Sequence, residues 1–225
     1  MIDQDMKYLR ACLSAAPLVA FQWDGEDKNL CAFRSKTELV TWYGQPPGKN
    51  GEPYRDRGFY CRELAMLSRV VQPKTIVEFG TSLGIGTCLL HWLNPTAALV
   101  TVDVNTKTYM PGNVQVPMGH LARHNNIPCE FVTQCSWHYT TESNVGLCLI
   151  DGDHSYAAVE KDSKRAWINR RVCGVKHSPS QWAIAWHDYN DRHPGVVRAV
   201  NEFCAMVGEK LQERPDSDTV WIMGE

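Results

Sequence analysis

The chain has 225 residues, of which 44% are hydrophobic and 21% charged, proportions ordinary for a globular protein and unlike those of a disordered or fibrous one. Lys and Arg number 23 against 25 Asp and Glu, so a net charge of −2 supplies no overall field for a phosphate backbone, and nucleic acid is not an expected partner. No apolar run approaches the ~20 residues of a membrane helix, and the N-terminal segment is a poor secretory signal, so no membrane contact and a cytoplasmic location are expected.

The pattern predicts a short helix over residues 5–16, ended by Pro17. Residues 44–58 carry Pro46, Pro47 and Pro53 among four glycines and read as a long loop, either a binding lid or a connector. From residue 60 the periodicity becomes regular. Leu64, Leu67 and Val70/Val71 share one side of a helix stopped by Pro73. A β-branched strand, TIVEFG, follows, then a turn and helix in TSLGIGTCLLHWL, and a second strand in ALVTVDVN. MGHLARHNN reads as helix and PCEFVTQCSW as a strand that leaves at 134–136. VGLCLIDGDHSY is an apolar strand running into acids, followed by the helix AAVEKDSKRAWINRRV and the strand QWAIAWHDYN. PGVVRAVNEFCAMVG is a helix with Pro194 near its start. Segments 209–214 and 219–225 suggest a terminal hairpin. Alternation of strands and helices predicts a mostly parallel sheet covered on both faces.

Nine cysteines form no C-x-x-C pair and no zinc-finger set. Cys88, Cys148 and Cys204 lie in apolar runs, as small buried hydrophobes do, so free thiols in a reducing compartment are expected.

Four features carry chemistry. The first is VEFGTSLGIGT, where a strand ends near Glu78 and a helix starts near Gly84. Gly80, Gly84 and Gly86 let the backbone turn and let a ligand approach its amides. The spacing E-x-G-x-x-x-G differs from the dinucleotide fingerprint G-x-G-x-x-G, which disfavours a nicotinamide enzyme. A purely structural turn is the competing reading of the glycines. The second is Asp103, at the tip of the next strand, placed to accept hydrogen bonds from ribose hydroxyls, as an alternative to capping. The third is LIDGDHSY, which delivers Asp151, Asp153 and His154 to a strand tip, with Asp153 or Ser155 available to cap the next helix. The fourth is WHDYN, where Asp151, Asp188 and Asn190 would offer oxygen donors to Mg²⁺. Those acids could equally form a metal-free cluster around a histidine, and His187 could be a satisfied core histidine. The run KDSKRAWINRR holds five basic residues and reads as a solvated helix face, with a patch for nucleic acid or an anionic substrate as the alternative.

Through IVEFGTSLGIGT, TVDVN, LIDGDHSYAAVEKD and HDYNDRHPGVVRAVNEF, residues 61–225 resemble a class I S-adenosylmethionine-dependent methyltransferase, most closely the group of macrocin-type O-methyltransferases and cephalosporin-hydroxylase-like proteins. The resemblance implies a Rossmann-like α/β fold with a seven-stranded sheet whose last strand is antiparallel. It implies that the loop of Glu78, Gly80, Thr81, Ser82 and Gly84 binds the cofactor's methionine side. Asp103 would hold the ribose, residues 134–137 with Ser136 would pass near the adenine, and Asp151 would line the cleft. Catalysis would fall to His154, Asp151 and His187, with His154 as base. Metal-using relatives carry acids at positions matching Asp151 and Asp188; Asn190 adds a donor, and His187 stands where some relatives have a carboxylate. The expected substrate is a small molecule with a hydroxyl acceptor, a sugar or natural product. A silent cofactor-binding module, or a methyltransferase acting on nucleic acid or protein, is the alternative. Residues 1–60 form an extension expected to cover the substrate side, with Trp23, Trp42, Tyr43 and Tyr54 as candidate walls. A homo-oligomer is left open.

Overall fold

A computed structural model describes residues 58–110, 114–171, 181–214 and 217–224. The extension, with its expected helix, loop and aromatic wall, lies outside the described residues except for 58–60.

Helix α1 (Gly58–Val71) opens the described chain and buries Leu64, Leu67 and Val71. Strand β1 (Thr75–Phe79) leads through the glycine loop into α2 (Ile85–Leu93), and β2 (Ala98–Asp103) follows. A hairpin of β3 (Lys107–Met110) and β4 (Val114–Pro117) precedes the short α3 (His120–His124) and β5 (Glu130–Thr133). A 3₁₀ turn (Ser136–His138) leads on to β6 (Leu147–Ile150), α4 (Tyr156–Asn169), β7 (Trp182–Trp186), α5 (Pro194–Val207) and β8 (Val220–Gly224).

The sheet has the order β5-β2-β1-β6-β7-β8, parallel except for β8, which pairs antiparallel with β7. The chain winds outward from β1 in one direction through β2 and β5 and in the other through β6 and β7. Its reversal therefore lies between β1 and β6, where open α/β sheets bind ligands. Successive strand residues serve opposite faces, as a period of two requires. Ile76, Leu99, Leu147 and Ala183 pack with α1, α2 and α3, while Val77, Val100, Cys148 and Ile184 pack with α4 and α5.

A seven-stranded sheet was expected, and among the described residues the main sheet has six strands. Where a seventh would lie, the chain meets β8 at one isolated bridge, Gln212 with Trp221. That segment, EKLQERP, is polar and ends in proline, so it lacks the apolar alternation of a core strand and cannot extend its ladder past residue 214 with a further N–H donor. The expected terminal hairpin thus reduces to this bridge plus β8. The β3–β4 hairpin occupies a stretch to which the periodicity assigns no element; its signal was Pro-Gly-Asn between the short alternating runs KTYM and VQVP.

The five cysteines whose side chains are described, Cys88, Cys129, Cys135, Cys148 and Cys204, are free thiols. No helix among the described residues is long and apolar enough to cross a membrane.

The β1 and β6 tips meet at Gly80. Its φ is +98°, and a Cβ there would lie 2.1 Å from the Asp151 carbonyl oxygen and 2.7 Å from Gly152 Cα. Those neighbours are backbone and cannot rotate away. Gly80→Ala is expected to cost at least about 2 kcal/mol, from strain and overpacking together. That corresponds to a melting temperature lower by roughly 5 °C or more in a domain of this size. A melt within about 1 °C of the parent would show that the two loops separate at little cost.

Candidate functional site

The glycine loop is closed against β2 by Asp103. One carboxylate oxygen accepts the Thr81 N–H (3.0 Å) and the Ser82 N–H (3.3 Å), and the other accepts the Asn105 N–H (3.0 Å). Ser82 and Gly84 both take positive φ, the conformation that turns the chain into α2. The loop is further held from outside, because the Gly119 and Leu121 N–H groups donate to Ser82 and Leu83 carbonyls. Asp103 therefore organises the amides as well as standing at the strand tip.

Glu78 lies beneath this loop rather than on its surface, with 1% exposure. Its Oε2 accepts hydrogen bonds from Thr87 (2.5 Å) and Thr101 (2.6 Å), and Thr101, having donated, accepts from Thr81 (2.6 Å). This chain of hydroxyls joins β1, β2, α2 and the loop. Burial pushes the Glu78 carboxyl up to about 8 against the two hydroxyl donors, so the group is held neutral near pH 7. Through Thr101 and Thr81 it is tied to the loop from beneath.

On the other side of β1, three imidazoles and three carboxylates converge at the β6 and β7 tips. His154 Nε2 lies 2.8 Å from Asp188 Oδ2. His193, before α5, stacks on His154 with ring centroids 4.2 Å apart and reaches to 3.9 Å from Asp188 Oδ1. His187 places Nδ1 3.3 Å from Asp151 and 3.1 Å from Asp188, and its Nε2 faces Asp218 at 3.9 Å. Asp188 sits at φ +59°, a strained conformation for a non-glycine residue and one common at functional turns. Asp153 accepts the Ser155 N–H (2.7 Å), and Ser155 caps α4, so these two residues build the turn that presents His154. His193 and Asp218 were not legible as site members: they come from the start of α5 and from just before β8.

The segment after β5 is clamped by α4. Ser136 donates to Asp162, Arg165 donates to the Trp137 carbonyl (2.8 Å), and Lys161 lies over the Trp137 ring at 4.5 Å. The basic run is thus only partly a solvated face. Lys164 pairs with Glu160, but Arg165 is spent on Trp137, and Arg170 stacks on Trp167 at 3.2 Å. Burial pushes the Asp162 carboxyl up to about 6, with the Ser136 hydrogen bond opposing it.

No family model matches the sequence, and no curated protein does. Solved structures do match. An O-methyltransferase from Bacillus cereus, in complex with S-adenosylhomocysteine, superposes with a TM-score of 0.53 at 13% identity, covering 99% of each chain. A methyltransferase from Podospora anserina, also with S-adenosylhomocysteine bound, gives 0.50 at 13% identity, covering 98% of this chain and 94% of the other. The chain has the class I S-adenosylmethionine-dependent methyltransferase fold. The order of its strands, the antiparallel β8 and the glycine loop at the β1 tip agree with that assignment.

On this methyltransferase fold the imidazole and carboxylate cluster has a definite charge arrangement. Burial would lower the His187 imidazole, but the carboxylates of Asp151 and Asp188 override it and carry it well above its ordinary value. The hydrogen bond to Asp188 raises His154 against a smaller opposing effect of burial. Burial would raise Asp188, but hydrogen bonds from His154 and His187 hold its carboxyl below the usual carboxylate range. Burial raises Asp218.

Two of the three oxygen ligands expected for Mg²⁺, Asp151 and Asp188, converge, but with the His187 Nδ1 against both. The Asn190 side chain donates to Asp218 (3.1 Å) and accepts from the Arg192 N–H (3.0 Å), so its amide is engaged away from Asp151 and Asp188. His187 Nδ1 stands between those two carboxylates. Among the described residues, the groups that bring one donor atom each within 4.8 Å of the others are Asp151, His187, Asp188 and His154, Asp188, His193. Both contain imidazole, a ligand suited to later transition ions, whereas Mg²⁺ takes oxygen.

Proposed function

We propose that the protein is an S-adenosylmethionine-dependent O-methyltransferase acting on the hydroxyl of a small molecule, a sugar or natural product, in a reducing compartment. The observation that carries this reading is the pairing, along one sheet edge, of an amide-presenting loop tied to Asp103 with a hydrogen-bonded His154–Asp188 pair two strands away. The first suits a nucleoside-bearing cofactor. The second suits removal of a proton from an attacking hydroxyl.

Methyl transfer from a sulfonium needs the acceptor oxygen held in line with the methyl group and relieved of its proton as the bond forms. The cofactor would supply the electrophilic methyl. In this chain the 81–84 loop and Asp103 would bind its methionine and ribose portions, and the 134–137 segment would wall its adenine side. Asp188, ionised across the neutral range, accepts Nε2–H of His154 and so leaves Nδ1 as the proton acceptor. His187, charged between Asp151 and Asp188, offsets their negative charge. The base acts without Mg²⁺, because Asn190 is bonded to Asp218 and an imidazole stands between the two acids. Residues 1–60 would complete the substrate side.

Calorimetry tests the cofactor directly. The full chain is expected to bind S-adenosylhomocysteine and to show no heat with NAD. Binding of NAD without binding of S-adenosylhomocysteine would remove the methyltransferase reading and leave the fold intact.

A further inference from the structure

Asp162 is out of place as a helix residue. It lies in the middle of α4, where Asp is a poor helix former, and it is 3% exposed, where a carboxylate is costly to desolvate. An alanine there would favour the helix. The side chain instead reaches out of the helix and accepts the hydroxyl of Ser136, while its other oxygen lies toward Gly152, 3.6 Å from where a Cβ would stand. It is therefore wedged between the segment after β5 and the loop after β6.

The first of these segments is continuous with the Asp103 strand tip, because the Gln134 N–H donates to the Asp103 carbonyl at 2.9 Å. The second carries Asp151 and His154. Two further side chains of α4, Lys161 and Arg165, hold the same segment through the ring and the carbonyl of Trp137. One helix face thus sets where the wall after β5 stands relative to both strand tips.

We propose that Asp162 is a positioning residue for cofactor binding, clamping the wall at residues 136–137 through Ser136 so that the adenine side of the cleft is preformed. The proposal rests on the methyltransferase reading above. Preforming the wall removes an ordering cost that the cofactor would otherwise meet on binding. A buried, hydrogen-bonded carboxylate also specifies one wall position, where an apolar contact would tolerate several.

The test is calorimetry of the full chain with S-adenosylhomocysteine, with melting temperatures measured in parallel. Asp162→Ala and Ser136→Ala are each expected to raise Kd about tenfold. The double variant is expected to be no weaker than the weaker single one, because both remove the same contact. Asp162→Asn keeps an acceptor oxygen for Ser136 and should restore the parental Kd, with a melting temperature at pH 8 no lower than the parent's. A role confined to helix packing would shift melting in the alanine variant and leave Kd alone. If Asp162→Ala does not fold, Asp162→Val, which keeps the bulk and removes the acceptor, takes its place with the same expected rise in Kd. An unchanged Kd in the folded variants, with the parent binding normally, overturns this proposal alone; failure of the parent to bind overturns the methyltransferase reading and this proposal with it.

Discussion

His154→Ala is expected to lower the methyl-transfer rate by about 10²–10⁴, the range for a positioned general base, while S-adenosylhomocysteine still binds. The base must be neutral to accept a proton. Activity should therefore rise with pH as His154 loses its charge, and that limb should lie above pH 6.5 because the hydrogen bond to Asp188 raises the imidazole. Asp188→Asn removes the charge that supports the imidazolium, so the limb should move to lower pH as the rate falls. A limb that stays in place in Asp188→Asn would show that the two residues do not act as a pair. The same preparation separates the metal question. Activity is expected to survive EDTA; its loss to EDTA and recovery with Mn²⁺ would put an ion among these side chains.

Asp103→Ala should weaken S-adenosylhomocysteine binding by more than tenfold, or about 1.4 kcal/mol. Two effects act together. The ribose hydroxyls lose an acceptor, and the Thr81 and Ser82 N–H groups lose the carboxylate that holds the loop to β2. Asp103→Asn keeps one acceptor oxygen and should lie between the parent and the alanine variant. Equal affinity in parent and alanine variant, by calorimetry, would place the nucleoside elsewhere along the edge.

Much of the α/β layout was legible in the chain because its strands are buried on both faces. LCLI and WAIAW are continuous apolar runs, and each ends abruptly in acids or histidine, which marks the sheet's carboxyl edge. The glycine loop was equally visible, since only glycine tolerates the Gly80 position against the Asp151 carbonyl. The count of strands was less so. EKLQER has strand length but not strand chemistry, and whether it pairs fully or at one residue depends on how β8 lies against β7. The β3–β4 hairpin escaped periodicity because its strands are four residues each.

The residue types at the strand tips can be read along the chain: Glu78, Asp103, Asp151 with His154, and His187 with Asp188. Strand ends are local features, and burial of a strand's interior forces its polar residues to the ends. Which of these meet depends on how the elements pack. Glu78 turned inward onto two threonines of other elements. Asn190 turned to Asp218, 28 residues away, and left the acids to His187. His193 arrived beside His154 because α5 packs next to α4. Asp162, spaced as an ordinary helix residue, became the link between two loops. Spacing along one element carries no record of such partners, because each contact joins segments that approach only when the sheet and its two helical layers are packed.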